Sequence, residues 1–468
     1  MVILGAGTAG LTALKEAQRY TDDIVLINAG PYGTTCARVG CMPSKALLEA
    51  AHAFGRHTWL GEIGIDGTDS LSVDLPAVMA HVRELRDRFI AGPIRLASSL
   101  EERSIHGQPQ FLDPQTIEVN GERIEADCVV IATGTRPVMP VAWRSFGTRV
   151  VTSDEVFEQK VIGRRVGVIG LGPLGVELGQ AFAQLGCEVH GFTADPHVAG
   201  LHDSEINASL VSMLEQQMSV STGVKASLHE SGEYIVVEGG SHRVEVDWVL
   251  ASLGRRPNLE GLALENLGVK LDDRGMPAFD AATLQISGLP VFIAGDVNGQ
   301  RPILHEAADE GRIAAYHALH PDAECLSRRV PVGIVFTEPG AGFAGQTAQD
   351  IADSKREFVT GSVGFEKQGR ALTAGRNAGL LKVYADARDG LLLGAEMVAP
   401  DAEHLIHLLA WSIQQGLTLD QILQMPFYHP TVEEGLRTAL QAARRELGTR
   451  RSLPDLPLCH ERADWALG

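Results

Sequence analysis

Aromatic side chains are scarce in this chain, where Phe, Trp and Tyr supply 5% of 468 residues. Cysteine is scarcer, six in all, too sparse for a disulfide-stapled secreted scaffold. No apolar run reaches the roughly 20 residues that cross a bilayer, so no membrane partner is expected. Basic residues are outnumbered, 40 Lys and Arg against 59 Asp and Glu. The net charge of −19 argues against nonspecific nucleic-acid binding. The N-terminal residues Met1 to Leu4 run straight into a Gly-rich motif, without a basic n-region or a cleavage site. No signal peptide is expected, and a cytoplasmic location is the default expectation. Glycine is what the chain has in quantity, 51 residues, within an ordinary globular balance of 44% hydrophobic and 21% charged. That balance excludes a disordered or collagen-like chain. At roughly 150 residues per domain the length implies about three domains. Much glycine with few aromatics favours nucleotide-binding turns over an all-β sandwich.

Two segments share one pattern. A short apolar run leads into Gly5-Ala6-Gly7-Thr8-Ala9-Gly10, a helical stretch from Leu11 to about Tyr20, and a second apolar run, Ile24 to Ile27. About 165 residues later Val166 to Ile169 leads into Gly170-Leu171-Gly172-Pro173-Leu174-Gly175, a helix over Val176 to Leu185 and a strand over Glu188 to Phe192. Each is a βαβ unit. Gly5 permits the sharp turn, Gly7 a close approach of backbone to pyrophosphate, and Gly10 tight helix–sheet packing. Gly170, Gly172 and Gly175 repeat the arrangement. The helix N-terminus then offers N–H groups and a positive dipole end to phosphate. The ribose partner falls at Asn28 and at Thr193, each 23 residues past its first glycine. Neither is acidic. Asn28 can still bond ribose hydroxyls. Thr193 has no carboxylate to exclude a 2′-phosphate and no neighbouring Arg to bind one, so the choice between NAD and NADP stays open, with a lean to NAD.

Other apolar runs end in glycine: Cys128 to Gly134, followed by Arg136-Pro137, and Val249 to Gly254, followed by Arg255-Arg256-Pro257. Each reads as a buried strand entering a tight turn, and Val291 to Asp296 as a third such strand. From about Arg329 the texture shifts to strands and longer helices, with a helix near Ala402 to Gln415. The tail from Gly448 has no clear periodicity and reads as a loosely ordered extension.

Cys36-Ala37-Arg38-Val39-Gly40-Cys41-Met42-Pro43-Ser44-Lys45 holds the one close cysteine pair, which reads as redox or metal chemistry. Five residues of ideal helix separate Cα atoms by roughly 7.5 Å, and a disulfide needs about 4.4–6.8 Å. The pair closes only if the backbone is distorted, and Gly40 and Pro43 accommodate that. A strained pair is readily reduced. A metal site needs further ligands, and none lies nearby.

These motifs, in this order with Ala132-Thr133-Gly134, Ala294-Gly295-Asp296 and His429-Pro430-Thr431-Val432-Glu433-Glu434, make the chain resemble the flavoprotein pyridine nucleotide-disulfide oxidoreductases. It is most similar to their dihydrolipoamide dehydrogenases, over about residues 1–446. The resemblance implies an α/β fold with two three-layer Rossmann-like domains, binding FAD and NAD(P), and a C-terminal α+β dimerisation domain. The corresponding boundaries are 1–147 and 280–328 for the FAD domain, 148–279 for the NAD(P) domain, 329–446 for dimerisation and 447–468 for the tail. It further implies that the first Gly-rich turn, with Asn28, Thr35, Thr133, Gly134 and Asp296, holds FAD. The second turn, with Thr193 and Gly254, takes the nicotinamide cofactor. Cys41 would lie against the flavin as the charge-transfer thiolate and Cys36 would face substrate as the interchange thiol. Lys45 and Glu177 would form an ion pair near the flavin, although Glu177 taken alone is a surface carboxylate. His429 would be the general base, oriented by Glu434 and supplied by the partner subunit of a homodimer. The reaction implied is oxidation of dihydrolipoamide by NAD+ through a Cys36–Cys41 disulfide, free or as a lipoyl protein of a 2-oxoacid dehydrogenase complex.

Three alternatives attach to the resemblance. The nearest is NAD(P)H-dependent reduction of another small disulfide such as glutathione disulfide. Mercuric-ion reduction is not expected, since the C-terminus has Cys459 without an adjacent Cys, and Cys459 with His460 is too small a set for a metal. A docking role in a multienzyme complex has no lipoyl or docking module to support it. The family's Gly-Gly-Thr before the first Cys is Gly33-Thr34-Thr35 here, and its Asn two residues after that Cys is Arg38. Cys128, Cys187 and Cys325 are expected to be buried and inert.

Overall fold

The computed structural model describes residues 1–448 and 454–456. Cys459, His460 and most of the expected 447–468 tail lie outside the described residues. The chain folds as two compact units. One comprises Met1–Leu47, Asp74–Ile162 and Leu250–Arg328, the other Leu48–Val73, Gly163–Val249 and Arg329–Gly468.

The first unit is built on β1 (Val2–Leu4), α1 (Thr8–Ala17), β2 (Val25–Asn28), α2 (Thr35–Val39) and α3 (Cys41–Gly55), the last running on into the second unit. Its parallel sheet runs in the order Val291–Ile293, Val129–Ile131, β1, β2, Ser104–His106. β1 is central and wholly buried, which is why Val-Ile-Leu reads as an unbroken apolar run rather than an alternating one. The chain steps outward from β1 to β2 and Ser104–His106 on one side, then crosses back past β1 to Val129–Ile131 on the other. Such a reversal creates the crevice at the strand carboxyl ends where doubly wound sheets bind ligands. Leu259, Leu262, Leu264 and Leu267 pack with Phe111 and Ile117 in this unit's core. Part of the segment expected in the second dinucleotide domain, residues 250–279, therefore belongs with the first.

In the second unit Arg165–Ile169, Glu188–Phe192 and Ser219–Ser221 pair in parallel. The helix Pro173–Gln184 follows the first of these strands. The strand Glu188–Phe192 matches its expected span, and both helices after the Gly-rich turns begin three residues earlier than expected. Their first turns hold the small residues of the motif, which carry no apolar period to betray a helix. The C-terminal part is an antiparallel sheet ordered Val332–Val335, Gly340–Gly345, Leu392–Ala399, Leu380–Asp386, Phe358–Gly364. The helices Ala402–Gln414 and Glu433–Glu446 contribute to its core through Leu405, Ile406, Leu409, Leu436 and Leu440. The architecture is thus two Rossmann-like domains and a C-terminal α+β domain. Among the described residues no helix is long and apolar enough to cross a membrane.

Candidate active site

The first Gly-rich turn joins β1 to α1. Gly5 stands at φ +112° and a Cβ at Gly10 would sit 1.9 Å from the Gly5 carbonyl oxygen, so neither tolerates a side chain. Gly7 caps α1 without a side-chain partner, and no acidic residue occupies the first turn. A Cβ at Gly7 would meet nothing nearer than the Ala132 oxygen at 3.9 Å, which leaves the approach side open. A helix N-terminus with open N–H groups and a bare glycine face fits a pyrophosphate. Asn28 is buried at the end of β2. Its Oδ1 accepts the Ala6 N–H at 3.1 Å and its Nδ2 donates to the Gly30 oxygen at 2.5 Å, so this amide braces the turn.

Cys36 lies on α2 and Cys41 opens α3. The helix breaks between them at Gly40, whose backbone is far from helical at φ −124°, ψ −117°. That break is the distortion the spacing demands. The break brings the two side chains within hydrogen-bonding reach of each other, close enough to serve as one thiol–disulfide couple. The Cys36 thiol is pushed well above the ordinary range, first by its bond to Cys41, then by burial and by the Cys41 charge, while Lys45 opposes the shift. Lys45, four residues beyond Cys41, lies on the same face of α3.

Thr34 caps α2, its Oγ1 accepting the Ala37 N–H at 3.2 Å. It does so at φ +57°, ψ +149°, a conformation that suits glycine and strains a β-branched residue. The departure from Gly-Gly-Thr thus falls at a position whose backbone favours glycine, as does that of Gly33 at φ +117°. Thr34→Gly relieves about 1–3 kcal/mol of strain and loses only a few tenths from the cap. It should raise stability by about 1 kcal/mol in a denaturant titration of the purified protein, and a loss of stability would contradict the strain.

Thr133 and Gly134 end the strand Val129–Ile131 and enter a short ribbon. Thr135–Pro137 pairs antiparallel with Arg255–Pro257. The two Gly-x-Arg-Pro runs of the sequence are thus partners. Asn258 fastens them, donating from Nδ2 to the Thr133 oxygen at 3.0 Å while its N–H reaches the Gly134 oxygen at 2.9 Å. Arg255 donates to the Thr135 hydroxyl and to Asp154, both at 2.9 Å. The Thr135 hydroxyl lies 3.4 Å from Asp296 Oδ2. Burial pushes the Asp296 carboxyl above its usual range, and Arg255 opposes the shift. Arg255 and Asn258 were not singled out from sequence; their adjacency to a Gly-Arg-Arg-Pro run was the available signal.

In the second unit Gly172 caps the helix Pro173–Gln184, again with no side-chain partner. A Cβ at Gly172 would meet nothing within 4 Å, and Gly170 stands at φ +96°. This turn too fits a pyrophosphate. Thr193 is buried, its Oγ1 accepting the Asp195 N–H at 3.3 Å. Glu177 is buried rather than a surface group, and accepts the Phe336 N–H at 2.8 Å. Gln180, one turn on, exchanges two hydrogen bonds with the Glu338 backbone at 2.8 and 2.9 Å. His429 Nδ1 lies 3.0 Å from both Glu434 carboxylate oxygens, and Glu434 also accepts the Thr431 N–H. The His429 side chain is 79% exposed, with its other ring nitrogen outside that contact. The His429 hydrogen bond holds the Glu434 carboxyl below its usual range.

Cys128 and Cys187 are buried, and burial raises both thiols, Cys187 to about 11. Cys325 is exposed, against expectation. It lies in the irregular stretch after the helix Leu304–Leu319, where no packing covers it. Among the described residues no cluster of three His, Cys, Asp or Glu side chains could hold a metal ion.

Two glycine turns that fit a pyrophosphate and one close cysteine pair are the parts that an electron-pair relay between a thiol couple and a nicotinamide requires, and they point to a flavin-linked oxidoreductase of thiols and disulfides. Residues 1–311 match the model of the pyridine nucleotide-disulphide oxidoreductases and residues 331–440 that of the family's dimerisation domain. The chain belongs to this family, and is an oxidoreductase that uses FAD and NAD(P). It is 33% identical over 455 residues to a dihydrolipoyl dehydrogenase of Thermus scotoductus, covering 95% of this chain and 97% of that one. A mercuric reductase of Staphylococcus aureus is 30% identical over 450 residues, covering 94% and 81%. LpdA from Mycobacterium tuberculosis shares the fold, with a TM-score of 0.82 at 24% identity over 95% of this chain and 99% of its own. So does the HOCl-induced flavoprotein disulfide reductase RclA from Escherichia coli, at 0.81 and 22% over 94% and 98%.

Proposed function

We propose that the protein oxidises dihydrolipoamide, free or carried as a lipoyl group on a protein, to its disulfide with NAD+, with Cys36 and Cys41 as the intermediate couple. The hydrogen-bonded thiol pair astride Gly40 carries this reading. In the oxidised protein a disulfide joins the two sulfurs. The first substrate thiol gives its proton to His429 as its sulfur attacks Cys36 Sγ, the 36–41 bond breaks and Cys41 leaves as thiolate. The second substrate thiol attacks the substrate sulfur held on Cys36, and the departing Cys36 sulfur takes up that thiol's proton as the disulfide product leaves. The substrate has lost two electrons and two protons; the pair resides on the dithiol and one proton on His429. The Gly5–Gly10 turn with Asn28 and Asp296 would hold FAD, which would supply a two-electron carrier between the dithiol and the nicotinamide. An imidazole can take this proton and return it, and the Glu434 carboxylate at Nδ1 orients the ring. The dimerisation domain and the exposure of His429 support a homodimer in which His429 and Glu434 serve the partner's dithiol.

The dihydrolipoyl dehydrogenase relative supports the thiol substrate, and the mercuric reductase relative favours a second reading, in which NAD(P)H reduces a different acceptor through the same couple. Steady-state rates with dihydrolipoamide, lipoamide, glutathione disulfide and Hg2+, each with both nicotinamides, separate them. Dihydrolipoamide with NAD+ should be the fastest pair. Faster turnover of glutathione disulfide or Hg2+ would overturn the assignment. Co-purification with a lipoylated acyltransferase would place the protein in a 2-oxoacid dehydrogenase complex.

A further inference from the structure

We infer that Glu310 is a positioning residue that locks the Gly295-Asp296 turn to the helix of the first dinucleotide site. Glu310 lies on the helix Leu304–Leu319 and is 1% exposed. Its Oε2 accepts the Gly295 N–H at 2.6 Å and the Asn298 Nδ2 hydrogen at 2.7 Å. The Arg328 guanidinium pairs with Oε1 and also reaches Glu306 at 2.9 Å. A carboxylate this deep needs hydrogen-bond partners and a counter-charge; Gly295, Asn298 and Arg328 supply them, and burial still pushes the Glu310 carboxyl above its usual range.

The neighbouring residue shows what the contact is set against. A Cβ on Gly311 would fall 2.2 Å from the Ala9 carbonyl oxygen, so the helix Leu304–Leu319 crosses α1 in backbone contact, one residue from Glu310. A Cβ on Gly295 would fall 2.7 Å from the Ala9 Cβ. Ala9 belongs to the first turn of α1, whose N–H groups face the pyrophosphate position. One crossing therefore fixes the phosphate turn, while the carboxylate beside it fixes the backbone that presents Asp296. Glu310 sets the spacing between two elements that hold the same dinucleotide. The inference rests on Asp296 contacting FAD.

The test compares the holoenzyme with Glu310→Gln, Asn298→Ala and Asp296→Asn. The readouts are the Kd of FAD on reconstitution of the apoprotein, the potential of the bound flavin and the melting temperature of the apoprotein. Glutamine keeps an oxygen for Gly295 but turns an amide nitrogen toward Arg328. Loss of a buried charged hydrogen bond should weaken FAD binding by about tenfold or more in Glu310→Gln, with a shifted flavin potential. A role confined to stability would lower the apoprotein melting temperature and leave both flavin readouts unchanged. An FAD Kd within about twofold of the parent and an unshifted flavin potential in folded Glu310→Gln, with Asp296→Asn impaired, overturns the inference and leaves the Asp296 assignment standing. Normal FAD binding by Asp296→Asn overturns both. Should Glu310→Gln fail to fold, Asn298→Ala decides: weakened FAD binding supports the inference, and an unchanged Kd overturns it.

Discussion

Cys36→Ser and Cys41→Ser should each lose dihydrolipoamide oxidation by about a thousandfold or more, because no serine alkoxide can stand in for a thiolate in a disulfide exchange. FAD should remain bound at one per chain, since the pyrophosphate turn at Gly5 to Gly10 owes nothing to sulfur. The two variants should differ optically. Adding dihydrolipoamide anaerobically to the parent should raise a long-wavelength absorption band through Cys41. Cys36→Ser keeps the sulfur at 41 and should show the band without added thiol, whereas Cys41→Ser should never show it. Full activity in either variant would refute the couple.

His429→Gln should lower dithiol oxidation by roughly 10²–10⁴-fold, the usual worth of a positioned general base. Reduction of an artificial acceptor by NADH, which involves no thiol proton, should be spared. Glu434→Gln removes the group that orients the ring and should act in the same direction less severely. The Glu434 carboxyl is held below its usual range by His429. A depressed carboxylate keeps its hold at neutral pH and releases it as pH falls through that lowered value. The loss of rate that Glu434 protonation causes should therefore begin only below the usual carboxylate range and be absent in Glu434→Gln, a result checked by kcat/KM against pH in both proteins. Equal loss of the NADH-to-acceptor rate in His429→Gln would sink the assignment.

Both turns were legible because Gly5, Gly7 and Gly10, and their counterparts from Gly170, sit between apolar runs whose lengths leave room for one strand and one helix. The thiol pair was legible from chain geometry: five helical residues are too long for sulfur contact, and Gly40 supplies the break. Burial was harder to read. Glu177 looks like any helix-surface carboxylate, yet it is covered and bonded to the Phe336 backbone. Glu310 was missed altogether, although Glu306, Ala307, Glu310, Gly311 and Ala314 recur at helical spacing on the buried face of one helix. Charged residues on such a face are a sign of an internal ion network. The ribbon joining Thr135–Pro137 to Arg255–Pro257 depends on partners 120 residues apart, which no local pattern encodes.

That ribbon carries a consequence for how the chain was assembled. Everything between residues 138 and 253 enters and leaves through two strands that lie side by side, joined by the Val138 N–H on the Gly254 oxygen at 3.0 Å. Chain ends already this close lose little entropy when a short link replaces a long one. A segment of almost any length can therefore be inserted between Pro137 and Arg255 without adding much closure entropy to the first sheet.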